Sequence, residues 1–330
     1  MPERIKWIDS VKGIAMLLVI FGHTYSLSSN YREIIYSFHM PLFFILSGYT
    51  FLFSSNLTTF YEKVKKNFIR LYLPVLIVFL ITLFFKALSN IEIINQDFII
   101  NALKTLLYSS GINFDRNGEF IAELGYSWFL VSLFEIKIFY DFLNLKFSKI
   151  MLYIILFFLF YIGLDCTISK TYLVLNLDVT LMVFPFFMFG IYLSTLDNKK
   201  MIFLNPIINL VIWTLIFLYI LVQDSRIELA AREYSIIPLG YICGISGSIF
   251  MFWLCKKFAS IKHLNNLLTY VGKHSLLLLC VHCLDFVYEA LWNITNNETL
   301  NGIIRFIIDL VIVCILLKIL EFIKMKKLTI

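Results

Sequence analysis

The chain has 330 residues, of which 60% are apolar and only 15% are charged. Soluble globular domains usually carry about 25% charged residues, so this composition argues against a soluble domain and is typical of a helical protein that spans a membrane several times. The net charge of +6 is not carried by basic residues interleaved with aromatic ones, and the sequence therefore predicts no nucleic-acid partner.

Apolar segments of roughly 20 residues recur along the chain, each long enough to cross about 30 Å of hydrocarbon. In chain order, they lie near 11–27, 34–54, 68–88, 126–143, 150–165, 173–194, 203–222, 236–256, 267–291 and 302–323. The fifth segment is short and Pro185 breaks the sixth, so nine or eleven spans are alternatives to ten. The first segment follows Arg4, Lys6 and Lys12 as a signal peptide would, but it lacks a small-residue cleavage site and is expected to stay in the protein.

Lysine and arginine residues concentrate in alternate connections between these segments. With ten helices and an internal N-terminus, every inner connection is basic and every outer connection is mixed or acidic. The positive-inside rule therefore predicts that both termini lie in the cytoplasm. The predicted fold class is all-α: a polytopic membrane helix bundle of about ten transmembrane helices, in which 1–330 form a single membrane-embedded domain.

The longest stretch without a spanning segment is 89–125. It holds an amphipathic piece from Phe98 to Tyr108, followed by Gly111 to Glu123. A loop of this length is uncommon without a role, often as a lid or a binding loop. We expect it to lie on, or dip into, the outer face.

Three histidines and a tryptophan from distant parts of the sequence are predicted to lie at one depth. At the α-helical rise per residue, His23 lies roughly 18 Å beyond the inner end of the first helix, and His282 roughly 22 Å beyond the inner end of the ninth. His39 and Trp128 stand near the start of helices that enter from the outside. Ionisable groups inside a membrane usually face a bundle interior or a water-filled cavity, so this level is the candidate site.

Acidic residues accompany two of these histidines. His282, Asp285 and Glu289 fall on one face of a predicted helix, at spacings of three and four, and a carboxylate beside an imidazole fixes its tautomer. Asp9 shares a stripe with His23 but lies about 21 Å below it. This distance favours a local pair between Asp9 and Lys12 at the inner surface.

Each of these residues also has a structural interpretation. His39 is also explained as an interfacial residue whose ring reaches water, and Trp128 as an anchor in the aromatic belt. His23 is also explained as a histidine that packs between helices. Asp285 and Glu289 fit residues that simply approach the outer surface.

The spacing of cysteine and histidine does not predict a metal centre. Cys280, His282 and Cys283 are close in sequence, but adjacent helix positions point apart and no fourth ligand is evident. The six cysteines are interpreted as small apolar packing residues rather than as a disulfide framework.

A basic cluster precedes the third segment at the predicted inner surface and consists of Lys63, Lys65, Lys66 and Arg70. Positive charge at the mouth of a pocket suits a phosphate-bearing donor. Membrane topology alone explains the cluster equally well.

Six blocks of sequence carry a resemblance to a known family. The blocks are WIDSVKGIAMLLVIFGH (Trp7 to His23), SFHMPLFFILSGY (Ser37 to Tyr49), FIRLYLP (Phe68 to Pro74), SWFLVSLF (Ser127 to Phe134), FPFFMFG (Phe184 to Gly190) and VGKHSLLLLCVH (Val271 to His282). In this order, across nearly the whole chain, they resemble the acyltransferase 3 family of integral membrane acyltransferases, which includes bacterial polysaccharide O-acetyltransferases. The first two blocks are the specific ones.

The resemblance implies about ten helices, acetyl-CoA as a cytoplasmic acyl donor, and a hydroxyl acceptor on a cell-surface glycan, with no permanently bound cofactor. His23 matches the histidine that is regarded as catalytic in the family. Arg70 matches the second arginine of a paired-arginine motif linked to the donor, whereas Asn67, next to Lys66, stands at the first position. Lys12 stands where many members have arginine.

These features together predict an O-acetyltransferase of the cytoplasmic membrane. His23 is expected to act as general base on the acceptor hydroxyl, or as a transient acyl carrier. His39 or His282 is expected to polarise the acyl oxygen or to hold the acceptor. The remaining assignments are Lys12, Lys66, Arg70 and Asp9 for the donor, and Trp128, Asp285 and Glu289 for the acceptor.

Two other classes of protein are alternatives. A transporter or flippase would use the histidines and carboxylates as an intramembrane proton relay. Transporters often contain two related halves, and the sequence shows no such repeat. A structural or regulatory membrane protein, including an inactive family member, would tolerate the loss of His23, whereas a catalyst would not.

Overall fold

The computed structural model of the protein describes residues 6–89, 95–196 and 205–328, with side chains described as far as residue 322. Helices account for 78% of the structure, which supports the predicted helical class. The two small sheets are antiparallel pairs of short strands that the sequence did not predict. Arg4, residues 90–94 of the predicted loop and the first residues of the segment 203–222 lie outside the described part.

Fifteen α-helices follow one another along the described part of the chain. They are α1 (Lys6–Gly22), α2 (Asn30–Tyr36), α3 (His39–Tyr49), α4 (Leu57–Asn67), α5 (Leu73–Ser89), α6 (Gln96–Tyr108), α7 (Trp128–Lys146), α8 (Lys149–Ile168), α9 (Leu177–Thr195), α10 (Pro206–Val222), α11 (Leu239–Phe258), α12 (Lys262–Lys273), α13 (Ser275–His282), α14 (Glu289–Trp292) and α15 (Glu298–Leu328). The strands are β1 (Phe114–Arg116), β2 (Glu119–Ile121), β3 (Ile227–Glu228) and β4 (Glu233–Tyr234).

Local chemistry sets several of the helix starts. Asn56 and Asn95 accept hydrogen bonds from backbone N–H groups in the first turns of α4 and α6, both at 2.9 Å. Such caps satisfy donors that have no partner inside the helix. Pro206 begins α10 and Pro41 lies in the first turn of α3, where the missing proline N–H has no intrahelical role.

Each of the ten predicted segments contains a helix, but the number of spans stays a prediction. Within the described residues, four helices are long and apolar enough to cross a membrane, and one more apolar helix is shorter. The four are Leu57–Ser89, Lys149–Ile168, Val174–Thr195 and Leu239–Phe258, and the shorter one is Pro206–Val222. A single π-helical turn, Phe68–Tyr72, joins α4 to α5 within the first of them.

Two predicted segments are not single helices. The segment 34–54 is broken between α2 and α3, since Pro41 fits only the first turn of a new helix. The segment 267–291 divides into the end of α12, α13, a 3₁₀ turn at Asp285–Val287 and α14. Side-chain contacts from Asp285 and Tyr288 to α15 hold this turn. The prediction that one regular helix carries His282, Asp285 and Glu289 on a single face is therefore wrong for Glu289, whereas Asp285 lies beside His282 as predicted.

Glycines let two pairs of helices approach until their backbones touch. At the crossing of α1 and α12, a Cβ atom on Gly13 or Gly272 would overlap a backbone carbonyl of the other helix. At the crossing of α3 and α9, Gly48 and Gly190 are placed in the same way. Small residues drive such close packing between membrane helices, where the hydrophobic effect between helices is weak.

Segments predicted to share a side of the membrane meet in the structure. At one end of the bundle, Lys63 lies 3.6 Å from Asp141 at the end of α7. At the other end, Arg232 lies 2.8 Å from Asp178 and donates to Ser110 of the predicted outer loop at 3.1 Å. Which end faces the cytoplasm stays a prediction, as does the description of 1–330 as one membrane-embedded domain.

The described part of the 89–125 loop is ordered by its own secondary structure. The amphipathic piece is confirmed as α6, and β1 and β2 form a hairpin whose turn residues, Asn117 and Gly118, have positive φ. Gly111 packs so closely on Trp128 that a Cβ atom there would overlap the indole. The loop is thereby fixed against the start of α7.

The glycine contacts predict a specific loss of stability. Gly190→Ala is expected to lower the free energy of unfolding by about 1–3 kcal/mol, because the new methyl group meets backbone that cannot rotate away. Thermal unfolding in detergent would measure the change. Gly22→Ala is the control, since its methyl group would meet only side-chain atoms of Ile35 and Tyr36, the nearest at 3.3 Å. An equal loss in both variants would contradict the close-packing explanation.

Candidate active site

His23 is held at the end of α1 by a tyrosine from the next helix. Gly22 faces α2, and a Cβ atom there would make a tight contact of 3.3 Å with the Tyr36 side chain. The Tyr36 hydroxyl lies 3.0 Å from His23 Nδ1. This bond leaves Nε2 as the ring nitrogen of His23 with no fixed partner among the described residues, and His23 borders a cavity.

His23 stacks with two aromatic rings from distant elements, those of Tyr126 and His282. The ring of Tyr126, in the 3₁₀ turn Gly125–Ser127, lies 3.8 Å from the His23 ring, centroid to centroid, with a 25° angle between the planes. His282, the last residue of α13, lies 5.0 Å from Tyr126 and 5.7 Å from His23. Two of the three predicted histidines therefore meet at one site, joined by a tyrosine that the sequence analysis did not single out.

Carboxylates fix the orientation of His282. Its Nδ1 lies 3.3 Å from an Asp309 oxygen and 3.5 Å from an Asp285 oxygen. Because a carboxylate only accepts, the neutral ring carries its proton on Nδ1 and its lone pair on Nε2. Tyr288 donates to Asp309 at 2.7 Å. The Nε2 atom is buried and has no hydrogen-bond partner among the described residues.

Arg305 on α15 connects this cluster to the end of α1. Its guanidinium forms an ion pair with Asp285, donates to the Thr24 hydroxyl at 3.0 Å, and lies 4.3 Å from the centre of the Trp292 ring. The side chain is almost fully buried, with 1% exposed. Its charge is stable there because Asp285 compensates it. The expected acidic partner of His282 is thus present, although Asp285 is shared with Arg305.

His39 lies outside this stack. It is 1% exposed, its Nδ1 donates to the Ile35 carbonyl at 2.9 Å, and its ring meets Tyr36 edge-on at 4.8 Å. The Arg32 guanidinium lies 3.9 Å from the centre of the Tyr36 ring. Tyr36 therefore contacts both His39 and His23.

A cavity of about 580 Å³ runs inward from His23 between α1, α3, α7 and α13. His23, Tyr126 and Trp128 line one end. Four cationic side chains line the other end, namely Lys12, Arg70, Lys137 and Lys273. The two ends lie roughly 16 Å apart along α1, given eleven residues from Lys12 to His23. Between them the walls are mostly apolar, with Met16, Leu46, Phe129, Leu133 and Leu276 among the lining residues.

Of the predicted site residues, only His23, Lys12, Arg70 and Trp128 line this cavity. His39, His282 and Asp285 lie near His23 without lining it, and the remaining three lie elsewhere. Lys66 is exposed on α4, and Asp9 is buried where α1 touches Gly272 of α12. Glu289 is exposed and accepts from Asn293 at 3.1 Å. It lies on α14, beyond the turn that ends the path of α13.

The sequence contained signals for several residues that the prediction missed. Lys137 and Lys273 are charges within apolar segments, and such charges usually mark a functional site. Arg305 and Asp309 stand four residues apart within another apolar segment, a spacing that places them on one helix face. Tyr36 and Tyr126 carry no comparable signal among the 18 tyrosines of the chain.

Comparisons of the sequence with known proteins identify its family. The sequence model of a family described as an acyltransferase domain matches residues 5–320. The nodulation protein NolL of Sinorhizobium fredii is 37% identical over 78 residues, which is 21% of this chain and 21% of that protein. The chain therefore matches only about a fifth of the length of this curated relative. No solved structure matches the chain.

The ion pair between Arg305 and Asp285 predicts a double-mutant result. Arg305→Met is expected to lower the free energy of unfolding by about 3–5 kcal/mol, because Asp285 stays buried without its partner. The double variant with Asp285→Leu is expected to recover much of this loss. Thermal unfolding in detergent measures both, with Arg226→Met as control because its side chain is 47% exposed. A double variant no more stable than Arg305→Met would contradict the pairing argument.

Proposed function

Because the chain belongs to the acyltransferase 3 family, we propose that it transfers an acetyl group from cytoplasmic acetyl-CoA to a hydroxyl of a cell-envelope or extracellular glycan. The observation that carries the proposal is the single cavity that joins four cations to His23. The family is one of membrane acyltransferases, and this favours the proposal over a transporter or a structural protein. We place the protein in the cytoplasmic membrane with its cationic end inward.

The cationic end suits the phosphates of the donor. Lys12, Arg70, Lys137 and Lys273 come from four different elements and converge on one end of the cavity. The charge of Lys137 lies within electrostatic reach of Arg70 and Lys12, and like charges that converge in this way favour an anionic ligand between them. The phosphates of acetyl-CoA supply that charge, and they also cannot enter hydrocarbon cheaply.

The apolar middle of the cavity suits the flexible arm of acetyl-CoA. With the phosphates at the cations, the arm extends over the roughly 16 Å that separate Lys12 from His23. The thioester then lies beside His23 and Tyr126. We retain Lys66 and Asp9 as weaker donor-site candidates, since neither lines the cavity.

His23 has the geometry of a general base. When Nδ1–H donates to the Tyr36 oxygen, the Nε2 lone pair is free to take the proton of the acceptor hydroxyl. The hydroxyl oxygen attacks the thioester carbonyl, the C–S bond breaks, and the leaving thiolate takes the proton back from Nε2. In a two-step alternative, Nε2 attacks the thioester carbonyl and the CoA thiolate leaves; the acceptor hydroxyl then attacks the acetyl group on Nε2, the C–N bond breaks, and the hydroxyl proton goes to the thiolate.

His39 and His282 are better suited to positioning than to proton transfer. In each neutral ring the Nδ1 proton is directed to an oxygen of the protein, so Nε2 is an acceptor and donates nothing to an acyl oxygen. We propose that His282 fixes Tyr126 by stacking, and that His39 fixes Tyr36. Trp128 lines the cavity beside His23 and is our candidate for contact with the acceptor.

Asp285 and Glu289 are the two other residues predicted to bind the acceptor, and their positions support that role to different degrees. Asp285 acts through Arg305, which contacts Thr24 directly after His23. Glu289 is exposed on α14 outside the cavity, and its role in acceptor binding stays a prediction.

The proposal predicts that transfer depends on His23. His23→Ala is expected to reduce transfer of label from radiolabelled acetyl-CoA to the cell-envelope glycan by about 10²–10⁴-fold, the usual contribution of a general base. Membranes with matched protein levels would be compared. His263→Ala, at an exposed position on α12, controls for the loss of a histidine. Equal transfer by His23→Ala and the wild type would refute the role of His23.

The cationic end predicts a separate kinetic effect. Lys137→Met and Lys273→Met are each expected to raise KM for acetyl-CoA about tenfold, since a hydrogen bond to a charged group contributes about 1.5–3 kcal/mol. The value of kcat is expected to change little, because these residues lie far from the thioester. Lys65→Met is the matched control, as Lys65 is exposed and does not line the cavity. A fall in kcat with KM unchanged would contradict the assignment.

A further inference from the structure

Just beyond His23, the chain forms a second pocket at the same end of the bundle. Its volume is about 630 Å³, and it opens to the surface between the end of α1 and the start of α15. The residues that line it include Tyr25, Tyr31, Thr295, Asn296, Asn297 and Glu298. The catalytic mechanism proposed above uses none of them.

Two tyrosine rings form the apolar part of this pocket. Their centroids are 5.6 Å apart, with 32° between the planes, and the Tyr31 side chain is well exposed at 65%. The Tyr25 side chain is hydrogen-bonded to α15, because its hydroxyl lies 3.2 Å from the Thr299 hydroxyl. The Ser26 N–H also donates to Glu298 at 3.0 Å. Hydrogen bonds to α15 therefore hold the loop that carries Tyr25, and the first turn of α2 carries Tyr31.

The remaining lining groups are hydrogen-bonding side chains of small size. Asn296, Asn297, Thr295 and Glu298 line the same space. Asn297 caps α15, the Thr295 hydroxyl donates to Asn301 and Glu298 accepts from Ser26, so a ligand would use the Asn296 amide and the remaining lone pairs and N–H groups of the others. Amides and hydroxyls both donate and accept, as the hydroxyls of a sugar do. The faces of tyrosine rings offer apolar area for the C–H face of a sugar ring, while their hydroxyls stay wet.

The charge of the lining residues limits the kinds of ligand that the second pocket can bind. Among the described residues, those that line the pocket include no lysine or arginine, and Glu298 is the charged one. A phosphate or carboxylate would be repelled, and the ligand is thus neutral or cationic. A lipid chain is disfavoured as well, because it would remove the amides and the carboxylate from water without replacing their hydrogen bonds.

We propose that this pocket binds a neutral or amino sugar unit of the acceptor glycan. The inference rests on the proposed function, since it names the class of the acceptor for the same reaction. Tyr25 follows His23 by two residues, so their Cα atoms lie within about 8 Å of each other. A sugar ring held by Tyr25 and Tyr31 keeps the next units of the same chain beside the entrance to His23.

Sugar binding can be measured without catalysis. The full-length protein in lipid nanodiscs would be titrated calorimetrically with chitotriose, maltotriose and a glucosamine trisaccharide, and with a glycerol phosphate trimer as the anionic probe. We expect at least one of the three sugars to bind and the anionic trimer not to bind. Tyr31→Ala is expected to weaken sugar binding roughly tenfold, and Asn296→Ala severalfold.

A matched variant controls for the loss of an exposed tyrosine. Tyr161 on α8 is 63% exposed and lies in a different part of the molecule, so Tyr161→Ala is expected to bind sugar like the wild type. Absence of binding by all three sugars, binding of the anionic trimer alone, or equal sugar binding by Tyr31→Ala and the wild type would each overturn the inference.

The same titration separates this inference from the proposed function. His23→Ala is expected to bind sugar normally, because His23 does not line the second pocket. If His23→Ala still transfers acetyl groups while Tyr31→Ala loses sugar binding, the role of His23 fails and the sugar site stands. If Tyr31→Ala binds sugar normally while His23→Ala is inactive, the sugar site fails and the role of His23 stands.

Discussion

A buried charge inside an apolar bundle has to be paired, and the ion pair between Arg305 and Asp285 meets this constraint next to the candidate site. It joins α15 to the turn after α13, and through Thr24 it also holds the residue that follows His23. The stack of His23, Tyr126 and His282 is built against this pair. The position of His23 thus depends on electrostatic compensation contributed by the last helix of the chain.

Charge is distributed differently at the two ends of the cavity. Near His23, but outside the cavity lining, the cation Arg305 is paired with the Asp285 carboxylate. At the other end Lys12, Arg70, Lys137 and Lys273 converge on one space. Such a group favours an anionic ligand, and the apolar walls between the ends favour an uncharged arm. The proposed orientation of acetyl-CoA follows from this asymmetry.

The sequence was sufficient to place His23, His282 and Trp128 near one another, because helix rise and the positive-inside pattern fix their depth. It could not show the break after His282, since Asp285 and Tyr288 leave helical geometry for partners on α15 that are 20 and 21 residues away. Tyr126 was missed for a similar reason. Its role arises from which rings it meets, and that is a property of the packing and not of any local pattern.

The most direct test determines from which side of the membrane acetyl-CoA enters the protein. Protein would be reconstituted into liposomes in a known orientation, and radiolabelled acetyl-CoA would be supplied either inside or outside, with glycan acceptor on the opposite side. We expect transfer only when acetyl-CoA is on the side of Lys12, Arg70 and Lys273. Transfer only when acetyl-CoA is on the side of Tyr25 and Tyr31 would contradict the claim that the cavity carries the donor from its cationic end to His23.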